Sequence, residues 1–244
     1  DTTSLYFHGA GGDTLGRHGH SRDHRPDLRQ MVVGLVLDGE GHPVCTELWP
    51  GNTTDVTTLI PIVDRLKRTF HVGEVCIVAD RGMISAKTID ELEARGWSYI
   101  LGGRTRSSTE AQAIAGSDEG SYRTVFPRRR TAKDPAPLRV KQIWREERRY
   151  LVCLNADDAT KDRHDREAIV AALEKALAQG DKSLVGNKGF RRFLKTHGTR
   201  FAIDEEKVAV DARYDGKWIL RTNTTLAMEV VALAYKHLWM VEAM

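Results

Sequence analysis

The stretch Val75-Cys76-Ile77-Val78-Ala79-Asp80-Arg81-Gly82-Met83 constrains this chain more than any other. A short apolar run rich in β-branched residues reads as a strand buried in a sheet, and here it stops on one carboxylate followed by a glycine turn. Burying an unpaired carboxylate costs several kcal/mol, so an Asp at such a strand end sits at the solvent edge, hydrogen-bonded or beside a cation. Asp1 opens a second run of this type, Asp1-Thr2-Thr3-Ser4-Leu5-Tyr6-Phe7. A third acid, Glu242, falls late in the last predicted helix. Three acids delivered to one rim are a layout suited to phosphate chemistry with divalent metal.

The chain has 244 residues, 41% of them hydrophobic, enough to bury a full core as one large domain or one domain carrying an insertion. Its net charge of +3 is small but unevenly spread. Between Arg123 and Tyr150 ten Lys or Arg face three acids, a strip that either meets a polyanion or forms a solvated basic surface. Cys45, Cys76 and Cys153 each lie in an apolar, strand-like run without a Cys-x-x-Cys pair, and read as reduced core residues. The longest apolar stretches fall short of the ~20 residues a spanning helix needs, and no charged-then-apolar leader is present. The expectation is a cytoplasmic protein with no membrane partner.

The first hundred residues alternate in an informative order. Residues 2–7, 31–37 and 43–49 read as strands, the last two joined by the turn Asp38-Gly39-Glu40-Gly41, which makes an antiparallel meander. Residues 55–70 carry Val56, Leu59, Ile60, Val63 and Leu66 on one helical face. Residues 75–79 return as a strand, 85–95 as a helix closed by Gly96, and 97–101 as a fifth strand. A closing helix is predicted from Thr225 onward, with Thr224 as its cap.

Strand, strand, strand, helix, strand, helix, strand is the order of an RNase H-like α/β fold: a mixed sheet flanked by helices. It predicts a core from residues 1–104, a mainly β insertion over 105–222, and a closing helix at 223–244. Within the insertion, residues 138–144, 149–154, 207–210 and 218–221 read as strands and 165–178 as a helix. Asp1 and Asp80 are then expected on neighbouring strands of one sheet.

Several segments carry a resemblance. They are Asp1-Thr2-Thr3, the loop Gly19-His20-Ser21-Arg22-Asp23-His24-Arg25-Pro26-Asp27-Leu28, Trp49-Pro50-Gly51-Asn52-Thr53-Thr54-Asp55, and Ala79-Asp80-Arg81-Gly82-Met83. Asp215-Gly216-Lys217-Trp218-Ile219-Leu220-Arg221-Thr222-Asn223 and Tyr235-Lys236-His237-Leu238-Trp239-Met240-Val241-Glu242 complete the set. In order and spacing the chain resembles the DDE transposases of bacterial insertion sequences, whose RNase H-like core is interrupted by a β-rich insertion. The resemblance implies that Asp1, Asp80 and Glu242 are the catalytic acids and hold Mg²⁺ or Mn²⁺. It implies cleavage and strand transfer at element ends, on double-stranded element and target DNA, by copies that self-associate in a synaptic complex. A non-catalytic DNA-binding remnant of such a transposase is the alternative.

Two departures from the family pattern stand out. Its late signature has an Arg three positions after the Tyr and a Lys seven after the Glu; Leu238 takes the Arg position, and the chain stops at Met244, before the Lys. The terminal placement of Asp1 and Glu242 predicts frayed backbone at both ligands and a longer natural protein. For DNA affinity the sequence offers Arg128, Arg129, Arg130, Lys141, Arg145, Arg148 and Arg149 in the basic strip, with Tyr235 sharing a helix face with Glu242. His18, His20 and His24, with Asp13 and Asp23 nearby, lack the Cys or helical His pairing that fixes a zinc geometry, and read as a polar hairpin loop.

Overall fold

The computed structural model describes residues 1–9, 11–21, 23–70, 75–103, 108–125, 137–180, 190–197 and 200–238. They fall into two compact units, one of Asp1–Gly103, Glu146–Arg149 and Leu220–Met244, the other of Arg104–Arg145 and Tyr150–Ile219.

In the first unit β1 (Thr2–Tyr6), β2 (Gln30–Leu37) and β3 (Pro43–Pro50) form the expected antiparallel meander, in the order β1-β2-β3. The β2–β3 turn closes because the Asp38 carboxylate accepts the amides of Glu40 and His42, both at 2.9 Å. One 3-10 turn (Asp55–Thr57) leads into α1 (Leu59–Phe70). Next come β4 (Cys76–Ala79), a 3-10 turn (Arg81–Met83), α2 (Ala86–Ala94) and β5 (Ser98–Gly103). Ser85 starts α2 by accepting the Thr88 amide at 3.1 Å, and Gly96 ends it in the left-handed region at φ +68°. The helices seat Leu59, Val63, Ile89 and Leu92 against Ala79, Tyr99 and Leu101. Each such fully buried aliphatic side chain contributes about 1.5–3 kcal/mol.

β4 and β5 pair in parallel, Cys76 opposite Ser98 through Ala79 opposite Leu101. They begin a mixed six-stranded sheet ordered β4-β5-β11-β8-β7-β6, where β6 is Arg123–Thr124, β7 Arg139–Arg145, β8 Arg148–Leu154 and β11 Lys217–Thr222. β4 is thus an edge strand with only Ala79 buried, and Cys76 is exposed. Of the three thiols expected in the core, Cys153 alone is fully buried; all three are free. The strand order also departs from the expected single sheet: among the described residues β1 bonds to β2 and β4 to β5, so β1 and β4 lie in different sheets.

After β11 the chain turns through buried Thr222 and Thr224, whose hydroxyls lie 3.0 Å apart, and enters α6 (Met228–Lys236). Thr224 is therefore part of the turn and not the helix cap, a place taken by Ala227. The Asn223 amide completes β5 as a peptide group would, accepting from the Tyr99 amide at 2.8 Å and donating to the Trp97 carbonyl at 3.0 Å.

The second unit holds α3 (Thr109–Ala115), α4 (Ala156–Ala178), β9 (Leu194–His197), β10 (Arg200–Ile203) and α5 (Glu205–Ala212), together with β6, β7 and most of β8. Among its described residues three α-helices stand beside the strands, where a mainly β insertion with one helix was expected. Residues 207–210 are helical, because the Asp204 carboxylate caps the Lys207 amide and two acids occupy the first turn. Asp215 is spent inside this unit on a bidentate pair with buried Arg166, at 2.5 and 2.8 Å. No helix among the described residues is long and apolar enough to cross a membrane.

Gly51 explains the glycine of the Gly51-Asn52 signature. A Cβ there would lie 2.0 Å from the Gln30 carbonyl and 2.4 Å from that of Arg17, two backbone atoms with nowhere to go. Gly51→Ala is expected to destabilise the fold by about 1–3 kcal/mol, measured as a lower denaturant midpoint with unchanged slope. An unchanged midpoint would mean that this crossing of chains relaxes freely.

Candidate active site

Asp80 leaves β4 one residue beyond its last paired position, so it comes level with Gly102 of β5. Its backbone is extended (φ −76°, ψ 161°), its side chain is exposed, and it makes no capping bond to the turn that follows. The hydroxyl of Tyr235, on α6, donates to its Oδ1 at 2.9 Å across 155 positions of sequence. Gly102 makes this possible, since a Cβ there would sit 2.2 Å from the Tyr235 hydroxyl. The tyrosine thus crosses β5 at a glycine, where no side chain stands in its way.

Asp1 is held where fraying was expected. Its backbone exchanges two hydrogen bonds with Leu35 of β2, both 2.9 Å, and its carboxylate accepts the Thr2 amide at 2.6 Å. Thr2 is buried, and its hydroxyl donates to Oδ1 of Asp55 at 2.9 Å. Asp55 Oδ2 in turn faces Gly82, in the turn that Asp80 opens, 3.8 Å from where a Cβ would stand. The two 3-10 turns, Asp55–Thr57 and Arg81–Met83, pack together. The Thr2–Asp55 hydrogen bond and the packing of these two turns thus bring the β1 end and the Asp80 turn together.

Residues 1–243 match the transposase DDE domain. The chain belongs to that family. No curated protein matches it at a significant level.

Of the three acids expected to define a DDE centre, Asp1 and Asp80 lie in the same unit, Asp1 bonded to Thr2, which bonds to Asp55, in a turn packed against the one that Asp80 opens. Glu242 lies outside the described residues. The helix bearing Tyr235 ends at Lys236 and passes into a turn in which the Leu238 amide bonds to the Tyr235 carbonyl. Among the described residues no three His, Cys, Asp or Glu gather as a metal site, the histidine loop included. Two solvent-open carboxylates nevertheless suit Mg²⁺ by donor chemistry, since this ion takes hard oxygen ligands and keeps several waters.

The basic strip divides on inspection. Lys141 is 4% exposed; it donates to the Ser117 carbonyl and lies 5.1 Å from the Tyr122 ring. Arg149 is 7% exposed and donates to the Thr224 carbonyl at 2.7 Å. Burial lowers the proton affinity of both. Neither matches the expected role of a solvent-facing phosphate contact, because the charge is already committed inside the fold. Arg145 forms a bidentate pair with Glu119 at 2.6 and 2.7 Å, which raises its pKa. Arg148 is exposed, with Glu146 no nearer than 3.9 Å. Arg128, Arg129 and Arg130 lie outside the described residues.

Thr2 is a site residue that the sequence did not single out, and Asp55 was matched, with Gly51-Asn52, only to a family turn of structural or substrate-contacting purpose. Asp55 was visible only as the last member of Gly51-Asn52-Thr53-Thr54-Asp55, and Thr2 as the neighbour of Asp1.

Proposed function

We propose that this DDE domain is the catalytic core of an insertion-sequence transposase, cutting and rejoining double-stranded DNA at element ends with Mg²⁺ or Mn²⁺. The observation that carries the reading is the contact of Tyr235 with Asp80, which brings together two positions of the family pattern from opposite ends of the chain. A divalent ion bound at the acids supplies an activated oxygen nucleophile and neutralises charge on the phosphate and the leaving oxygen. Asp1 and Asp80 bind and orient at this site, with Glu242 as the third acid. Tyr235 holds the Asp80 carboxylate through one oxygen, Oδ1. Tyr235 is also the aromatic side chain that this site offers to DNA. Arg148 and the arginines at 128–130 anchor the duplex backbone, and copies of the chain pair to bring two ends together.

The test is cleavage of a duplex carrying an element end. Nicking followed by strand joining is expected in Mg²⁺ or Mn²⁺, lost on chelation with EDTA and restored when the ion is returned. A chain that binds the duplex yet never cuts it in either ion would overturn the proposal.

A further inference from the structure

We infer that Asp55 is a positioning residue, a strut that sets the placement of Asp1 relative to Asp80 through the hydroxyl of Thr2. The inference rests on the function proposed above. Among the described residues β1 and β4 belong to different sheets, and no strand pairing fixes one acid against the other. From Asp1 a connection runs through the Thr2 side chain to Asp55. On one side, Asp55 Oδ1 takes the Thr2 hydroxyl at 2.9 Å, and the Thr2 amide binds Asp1 Oδ1 at 2.6 Å. On the other, the turn that begins at Asp55 packs against the turn Arg81–Met83 that follows Asp80.

Asp55 is itself anchored. Buried Thr58 ties its backbone, the amide at 3.1 Å and the hydroxyl at 2.7 Å both binding the Asp55 carbonyl. An acid in the first turn of a helix ordinarily serves that turn by accepting its amides. Asp55 also accepts from a residue 53 positions earlier, and the capping position before it makes no side-chain capping bond. A hydroxyl bonded to a carboxylate is stronger than a neutral pair, and Thr2 is buried. The geometry is that of the outer-shell groups that orient ligands at metal centres.

The strut predicts a change in metal affinity that general destabilisation would not reproduce. In the whole chain without DNA, Mn²⁺ binding is followed by electron paramagnetic resonance for Asp55→Ala, Thr2→Val, Thr2→Ser and Asp80→Asn, each with its melting temperature. Asp55→Ala and Thr2→Val are expected to weaken Mn²⁺ about tenfold. Both should raise the Mg²⁺ needed for half-maximal nicking by a similar factor. Thr2→Ser, which keeps the hydroxyl, should bind as the parent does. Should Asp55→Ala fail to fold, the Thr2→Val and Thr2→Ser pair decides. A parental isotherm for Thr2→Val beside a weakened one for Asp80→Asn overturns the strut and leaves the proposed function standing. A parental isotherm and parental nicking for Asp80→Asn would overturn the proposed function, and the strut with it.

Discussion

Asp80→Asn is expected to abolish Mg²⁺-dependent strand cleavage while leaving affinity for duplex DNA nearly unchanged. The amide keeps the shape of the side chain and an oxygen to accept the Tyr235 hydroxyl, and the position is exposed, so the fold has no reason to respond. What disappears is a negative charge and a hard oxygen donor, the properties that recommend a carboxylate for Mg²⁺. Affinity for DNA is dominated by cations meeting phosphates, and Asp80 is not one of them. Nicking assays and a binding titration on the same preparation make the comparison. Cleavage by this variant at the parental rate would place the reacting centre elsewhere in the chain.

The second large effect concerns salt. Each phosphate neutralised on duplex DNA contributes about −0.9 to the slope of log affinity against log salt. Replacing Arg128, Arg129 and Arg130 together by Ala is expected to flatten that slope by up to roughly three units, with element-end and random duplexes weakened alike. The expectation sharpens because Lys141 and Arg149 are buried and Arg145 is paired with Glu119, which leaves fewer cations to share the work. A slope that does not move would make the Arg run a solvated surface; a loss confined to one DNA sequence would mean that these arginines read bases.

The order of elements through β5 was legible in the sequence because local signals set it: apolar periodicity in α1, the Ser85 cap and Gly96 stop around α2, the acidic glycine turn between β2 and β3. The second unit was harder for an equally physical reason. The first turns of α4 are polar on every side, so periodicity marks the helix only from about Asp165, although Asn155 caps it with two amides. In α5 the apolar alternation of Val208 and Val210 imitates a strand, and only the Asp204 cap and two leading acids reveal a helix. Which sheet β1 joins is not a local property, so its separation from β4 could not be read. The site was half legible. An Asp after an apolar run announces itself, whereas the partner of its carboxylate is a tyrosine 155 residues away, and the burial of Lys141 depends on a Ser117 carbonyl that no pattern advertises.

Arg149 carries a consequence for the ancestry of this chain. It stands between two stretches of the second unit, yet by its own packing it belongs to the first, where its guanidinium seals the carbonyl of buried Thr224. A shortened protein made by splicing Gly103 directly to Leu220 would lose that donor and strand a buried acceptor, at a cost of about 1–3 kcal/mol from one group alone. The polypeptide between them is therefore no removable cassette. Lineages free to lengthen or trim it would still have to bring one cation back to the same carbonyl, or rebuild the turn that leads into the last helix.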